Sequence, residues 1–157
     1  MCFTMDLTKF KHTHLIRVRN YEIDWQGIVH NGNYLLYFEV ARVDYFKVVG
    51  LEIDERSISG SVRIVLVRNE IDYLNTATFD DELKIYTRIV SIKNSSFVCE
   101  GAMIHVKKNI PIARNLATLV WTDPETGKST PVPNEFRKLV DTYERGNAEI
   151  HWPKIEV

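Results

Sequence analysis

The chain has 157 residues, of which 45% are hydrophobic and 26% charged, with a formal net charge of −1. That length suits one domain burying roughly two-thirds of the surface its unfolded form exposes, so a core needs neither disulfides nor metals. The near-neutral balance provides no global attraction to nucleic acid, and nucleic acid is excluded as the expected partner.

The N-terminal arm, about residues 1–12, has neither a continuous apolar run nor a small-residue cleavage site. No later segment approaches a membrane span, so no membrane partner is expected. Cys2 and Cys99 do not form a disulfide framework, which points to a reducing, cytoplasmic setting. His12-Thr13-His14 could set two imidazoles on one face, but with no third ligand at recognisable spacing it reads as a solvent-facing arm, and no metal is expected. From His14 to Tyr21, Ile16 and Val18 alternate with Arg17 and Arg19, the period-2 mark of a half-buried strand. A loop carrying Asp24 follows.

Residues Tyr34 to Val49 read as a helix, with Asn33 as N-cap and Gly50 as the stop. Apolar residues surround most of its axis, so it must be covered on several sides. Four further strands follow, Val62 to Leu74, Glu82 to Val90, Phe97 to Lys107 and Ile112 to Thr122. Turn signals at 93–96 and 107–111 link them as an antiparallel meander. Asn134 to Arg145 reads as a short terminal helix after Pro133, and a tail begins near residue 146. The expectation is a single α+β domain over 1–157, a five-stranded antiparallel sheet wrapped around one long helix. Such a sheet leaves edges, and pairing two copies edge to edge removes one from each, which predicts a homodimer or homotetramer.

The most informative stretch is Tyr21-Glu22-Ile23-Asp24-Trp25-Gln26-Gly27-Ile28-Val29-His30-Asn31-Gly32-Asn33-Tyr34. It sets one carboxylate just before the N-terminus of the helix, where unpaired N–H groups stabilise negative charge. Burial against Trp25 would raise the pKa of Asp24 and nearby N–H donors would lower it, and the residue types leave both open. Taken alone, Asp24 could equally be a turn residue bonding its own backbone. His30 could assist water or be structural, and Glu39 with Arg42 reads as an intrahelical pair.

The string through Tyr34, Phe38-Glu39-Val40-Ala41-Arg42 in the helix, Ile71-Asp72-Tyr73-Leu74, Phe79-Asp80-Asp81-Glu82-Leu83 and Pro131-Val132-Pro133 together resemble the hot-dog fold acyl-CoA thioesterases, in their 4-hydroxybenzoyl-CoA thioesterase-like branch. The resemblance runs from about Leu15 to Val140. It implies hydrolysis of the thioester of an acyl-CoA, or of an acyl carrier protein, with coenzyme A as part of the substrate and no separate cofactor. It implies that Asp24 acts as nucleophile or general base, and that the Asn31 backbone N–H polarises the carbonyl. Gly27, His30 and Tyr34 are implied at the substrate, as are Lys93, Ser96 and Phe97 in a hairpin that holds coenzyme A. One carboxylate and one or two donors suffice chemically, because a thioester carbonyl is electrophilic and its thiolate leaves well.

Two other readings are open at this stage. An enoyl-thioester hydratase or dehydratase would use Asp24 with His30, and a non-catalytic module would bind acyl-thioesters in the same pocket. Pocket depth is expected to depend on Leu36, Phe38, Val65 and Tyr73.

Overall fold

The computed structural model describes residues 5–53 and 63–154. The expected strand start at Val62, Cys2 and the last three residues lie outside them. After a 3-10 turn at Leu7–Lys9, the elements are β1 (His12–Arg17), a second 3-10 turn (Asn20–Glu22), α1 (Asn31–Val49), β2 (Arg63–Tyr73), β3 (Glu82–Ile92), β4 (Ser96–His105), β5 (Pro111–Thr122), α2 (Asn134–Glu144) and β6 (Glu149–Ile150). The strands are ordered β1-β3-β4-β5-β2, and β6 lies parallel to β3 through Ser91↔Glu149 and Ile92↔Ile150. The expected five-stranded, wholly antiparallel sheet therefore gains a short parallel strand from what reads as a tail. Two residues are too few to show a period in sequence. No helix among the described residues is long and apolar enough to cross a membrane.

The chain divides into two compact units. One comprises Met1–Tyr45, Glu70–Arg88 and Glu100–Leu116, the other Phe46–Asn69, Ile89–Cys99 and Ala117–Val157. In the first, Tyr34, Tyr37, Phe38 and Ala41 form one stripe of α1, at the spacing that brings side chains onto a common face. That stripe shares a core with Leu83 and Ile85 of β3, Met103 of β4, and Ile112 and Ala113 of β5. Gly101 of β4 allows this approach, because a Cβ there would stand 2.6 Å from Cδ1 of Phe38.

β1 runs antiparallel to β3, from His12↔Thr87 to Arg17↔Glu82. It starts and ends earlier than its alternation predicts. At its far end the Glu22 carboxylate accepts the Arg19 N–H at 2.7 Å and draws residues 20–22 into a 3-10 turn. At its near end His12 is buried rather than solvent-facing. Its Nε2 lies 2.8 Å from Oδ2 of Asp44, its ring meets Tyr45 edge-on, and His14 Nδ1 lies 3.3 Å from the same oxygen. The His12 hydrogen bond holds the Asp44 carboxyl below the usual carboxylate range. Glu39 is exposed and Arg42 buried, so they do not form the surface pair their spacing suggests.

In the second unit Phe46, Phe97 and Trp121 pack around Phe136 with ring centroids 5.2–6.2 Å apart. Arg137, 1% exposed, donates to the carbonyls of Lys93, Asn94, Val132 and His151, and so ties the 93–96 turn to the C-terminal segment. Cys99 is buried and forms no disulfide among the described residues.

Gly101→Ala forces Phe38 or its strand to move and is expected to lower unfolding free energy by about 1–3 kcal/mol. Urea denaturation measures this, and an unchanged midpoint would show that Phe38 does not rest on Gly101.

Candidate active site

Residues 23–29 form a closed hairpin-like loop. Ile23 and Val29 make an antiparallel bridge, the Asp24 N–H donates to Ile28 O at 2.8 Å, and the Gly27 N–H donates to Asp24 O at 3.0 Å. This is the pattern of a type I turn finished by a left-handed residue, and Gly27 supplies it with φ of +80°. The loop is anchored on both sides. Val29 N–H donates to Ala77 O at 2.8 Å, Thr78 Oγ1 donates to Gly27 O at 2.9 Å, and His30 N–H donates to Glu22 O at 2.9 Å.

The loop hands the chain directly to α1, which begins at Asn31, three residues before the expected Tyr34. Asn33 is not the cap, because its Nδ2 donates to Glu22 O at 2.9 Å. The cap is His30, whose Nδ1 accepts the Gly32 N–H at 3.1 Å. An imidazole acceptor is absent from the usual N-cap preferences, which is why the residue types misplace the start. Accepting at Nδ1 leaves the neutral His30 ring with its proton on Nε2.

The half-buried Asp24 carboxylate uses Oδ1 to accept the Gln26 N–H at 2.8 Å, and among the described residues Oδ2 makes no bond. The turn role and an available oxygen coexist. Trp25 is 90% exposed and does not shield it. The Asn31 N–H, first of the helix, has no acceptor among the described residues, while Asn31 O accepts the Tyr73 hydroxyl at 3.1 Å.

Asp24, Val29, Asn31, Tyr34, Tyr73 and Leu74 line a cavity of about 350 Å³ that Asn75 and Thr76 close at one side. Tyr34 and Tyr73 meet edge-on at 5.5 Å, and Tyr34 Oη accepts the Ala77 N–H. Burial pushes the Tyr34 phenol up from its ordinary value, so it is a neutral donor throughout the physiological range. Asp24 with one carboxylate oxygen open, Asn31 with its helix N–H unpaired among the described residues, and the Tyr34 phenol line one cavity, a set of groups that can activate water or attack a carbonyl and can stabilise the resulting oxyanion.

The structure thus brings together Asp24, Asn31 and Tyr34. Gly27 and His30 shape the loop and the cap but do not line the cavity, and the Asp24–His30 pair that a hydratase needs is not assembled there. Lys93, Ser96 and Phe97 belong to the other unit. There Lys93 is exposed, its N–H donating to Ser96 O at 2.8 Å, whereas Phe97 is 1% exposed within the aromatic cluster. Of the residues expected to set pocket depth only Tyr73 lines the cavity, and Phe38 is core. Sequence reasoning missed Asn75 and Thr76, which carry no pattern, and Glu22, whose three-residue spacing to Arg19 is the one visible signal. Among the described residues no group of three or more His, Cys, Asp or Glu could hold a metal ion.

The thioesterase-like superfamily is matched over residues 18–140. A putative esterase of Aquifex aeolicus is 29% identical over 79% of this chain and 93% of its own length. The long-chain acyl-CoA thioesterase FadM of Escherichia coli is 26% identical over 80% and 94%. A thioesterase from Thermus thermophilus, solved with coenzyme A and zinc, superposes with a TM-score of 0.76 at 28% identity, over 90% of this chain and 98% of that one.

A Cβ at Gly27 meets nothing within 4 Å, so only backbone strain opposes substitution. Gly27→Val is expected to cost about 1–3 kcal/mol in urea denaturation, and Gly27→Asn clearly less. Equal losses would show that the left-handed conformation is not what the loop requires.

Proposed function

Because the chain belongs to the thioesterase-like superfamily and has the hot-dog fold, we propose that it hydrolyses acyl-CoA thioesters to free acid and thiol, with Asp24 as the catalytic carboxylate. The observation that carries this reading is that Asp24, with one carboxylate oxygen uncommitted, lines the same cavity as Asn31, whose N–H is the first of α1. The thioester carbonyl sits toward the Asn31 N–H, which stabilises the oxyanion as it forms. Oδ2 of Asp24 either attacks the carbonyl carbon, breaking the C–S bond to give a mixed anhydride that water then hydrolyses, or takes the proton of a water that attacks as the C–S bond breaks. In both cases the thiolate of coenzyme A leaves with a proton supplied by that water. Tyr34 and Tyr73 supply the apolar wall for the acyl group. Coenzyme A is part of the substrate, and the chemistry calls for no other cofactor. A reducing, cytoplasmic setting accords with the buried Cys99.

The working assembly in this reading is at least a homodimer formed along β2. That strand ends the sheet order, and Val65, Leu66, Val67 and Tyr73 on it are each at least 40% exposed. An apolar edge strand is an aggregation hazard unless another strand covers it. Tyr73 also lines the cavity, so a partner along β2 borders the substrate.

Asp24→Asn keeps the Gln26 turn and is expected to cut thiol release about 10²- to 10⁴-fold, on the best substrate among acetyl-, hexanoyl-, palmitoyl- and benzoyl-CoA. A near-native rate sinks the assignment of Asp24. Absence of thiol release by the native protein across the panel favours instead a module that only binds acyl-thioesters. Val67→Lys is expected to shift the protein toward monomer in sedimentation velocity, and an unchanged coefficient argues against the β2 seam.

A further inference from the structure

Glu22 is a second carboxylate two residues before Asp24, and its bonding is the opposite. It is 6% exposed. Its Oε2 accepts the Arg19 N–H at 2.7 Å and the Tyr37 hydroxyl at 2.6 Å, and its Oε1 accepts Nη1 of Arg19 at 3.2 Å. Its carbonyl accepts the His30 N–H and Nδ2 of Asn33, each at 2.9 Å. Five hydrogen bonds converge on one residue.

Their destinations give the cluster its meaning. Glu22 directly precedes the Asp24 loop and His30 directly follows it, so the bond between them closes that loop on itself. Asn33 lies in the first turn of α1 and Tyr37 in the second, so the same residue ties the loop to the helix at two levels. Asp24 leaves this junction two residues after Glu22, and the Asn31 N–H follows His30 directly. Tyr37 is itself buried, and its ring meets Tyr34 edge-on at 6.2 Å, which extends the brace to the cavity wall.

We propose that Glu22, through Tyr37, is a positioning residue that fixes the Asp24 carboxylate relative to the Asn31 N–H. The proposal rests on the assignment of Asp24 above. Glu22 itself touches no substrate. Its effect is geometric, because an error of about 1 Å between a reacting group and its partner can cost of the order of 100-fold in rate. Without the carboxylate, the Tyr37 hydroxyl and Arg19 N–H lose a buried acceptor and the loop tilts on the backbone bonds that remain.

The test compares Glu22→Leu, Glu22→Gln and Tyr37→Phe, each alone and combined with Asp24→Asn, using the best acyl-CoA of the panel above. Circular dichroism and thermal melts report the folded fraction. The expected result for folded Glu22→Leu is a kcat lower by about 10- to 100-fold with KM within about twofold of native. Glu22→Gln, whose amide oxygen can still accept the Arg19 N–H and the Tyr37 hydroxyl while only the exposed Arg19 guanidinium loses its acceptor, should recover most of the loss. In the Asp24→Asn background Glu22→Leu should cause no further loss, since it acts through Asp24. Where Glu22→Leu does not fold, Tyr37→Phe, which removes only a hydroxyl, carries the same expectation of lowered kcat with KM held. Unchanged kcat in the folded variants, or an equal loss in the Asp24→Asn background, overturns the positioning role. A near-native rate in Asp24→Asn alone overturns the assignment of Asp24 and the positioning role with it. Loss in Asp24→Asn without loss in the Glu22 and Tyr37 variants overturns positioning only.

Discussion

The seating of Phe38 against the backbone of Gly101 fixes where α1 lies on β4 in the first unit, and every group at the candidate site is referenced to α1. A strand residue with any side chain would hold the helix off by the width of that side chain. With glycine there, Tyr34, Tyr37 and Ala41 reach the same core as Leu83, Ile85 and Met103. The first turn of the helix, and with it the Asn31 N–H, takes its place from that contact. Close packing transmits such constraints because interiors leave little room for adjustment.

The loop completes the placement from the other side. Asp24 is held by a turn that Gly27 makes possible, by the Ala77–Thr78 segment, and by the Glu22 carbonyl. Asp81 adds to this grip, since its Oδ2 accepts the Thr78 N–H at 2.8 Å while His105 Nε2 lies 3.1 Å from its Oδ1. The carboxylate and the helix N–H thus share one brace at Glu22, while the loop keeps anchors of its own at Ala77 and Thr78. In the proposed reaction, preorganisation of this kind is what one acid and few donors need in order to act on an already electrophilic thioester.

Much of this is legible in the residues, and the failures have specific causes. The alternation of Leu83, Ile85, Thr87 and Ile89 gives β3 its position because one face is buried and register is then tightly specified. β1 is misplaced because Arg17, Val18 and Arg19 continue the alternation while the Glu22 carboxylate, a side-chain partner invisible to periodicity, bends the backbone away. The start of α1 is misplaced because His30 caps with an imidazole. Asp24 could be singled out because its place ahead of the helix start is a matter of position along the chain, and Asn31 through the resemblance that the surrounding string carries. Asn75 and Thr76 could not, because they reach the cavity only through the end of β2, a long-range placement. The same holds for His12, whose burial depends on Asp44 thirty-two residues away.

The contrast between Glu22 and Asp24 shows why proximity to a helix start is not by itself a mark of chemistry. Both are acids within a few residues of the α1 N-terminus, and Glu22 is the more buried. Both Glu22 oxygens are engaged, Oε2 by the Arg19 N–H and the hydroxyl of the buried Tyr37 and Oε1 by the exposed Arg19 guanidinium, so neither is open in the way Oδ2 of Asp24 is. Asp24, which lines the cavity, commits one oxygen to a local turn, which restrains the side chain from rotating, and leaves the other without a bond among the described residues. An acid free at both oxygens would sample many rotamers, and one bonded at both would be inert. The half-committed carboxylate is both oriented and available, and in this chain the fully committed neighbour is what allows the other to remain so.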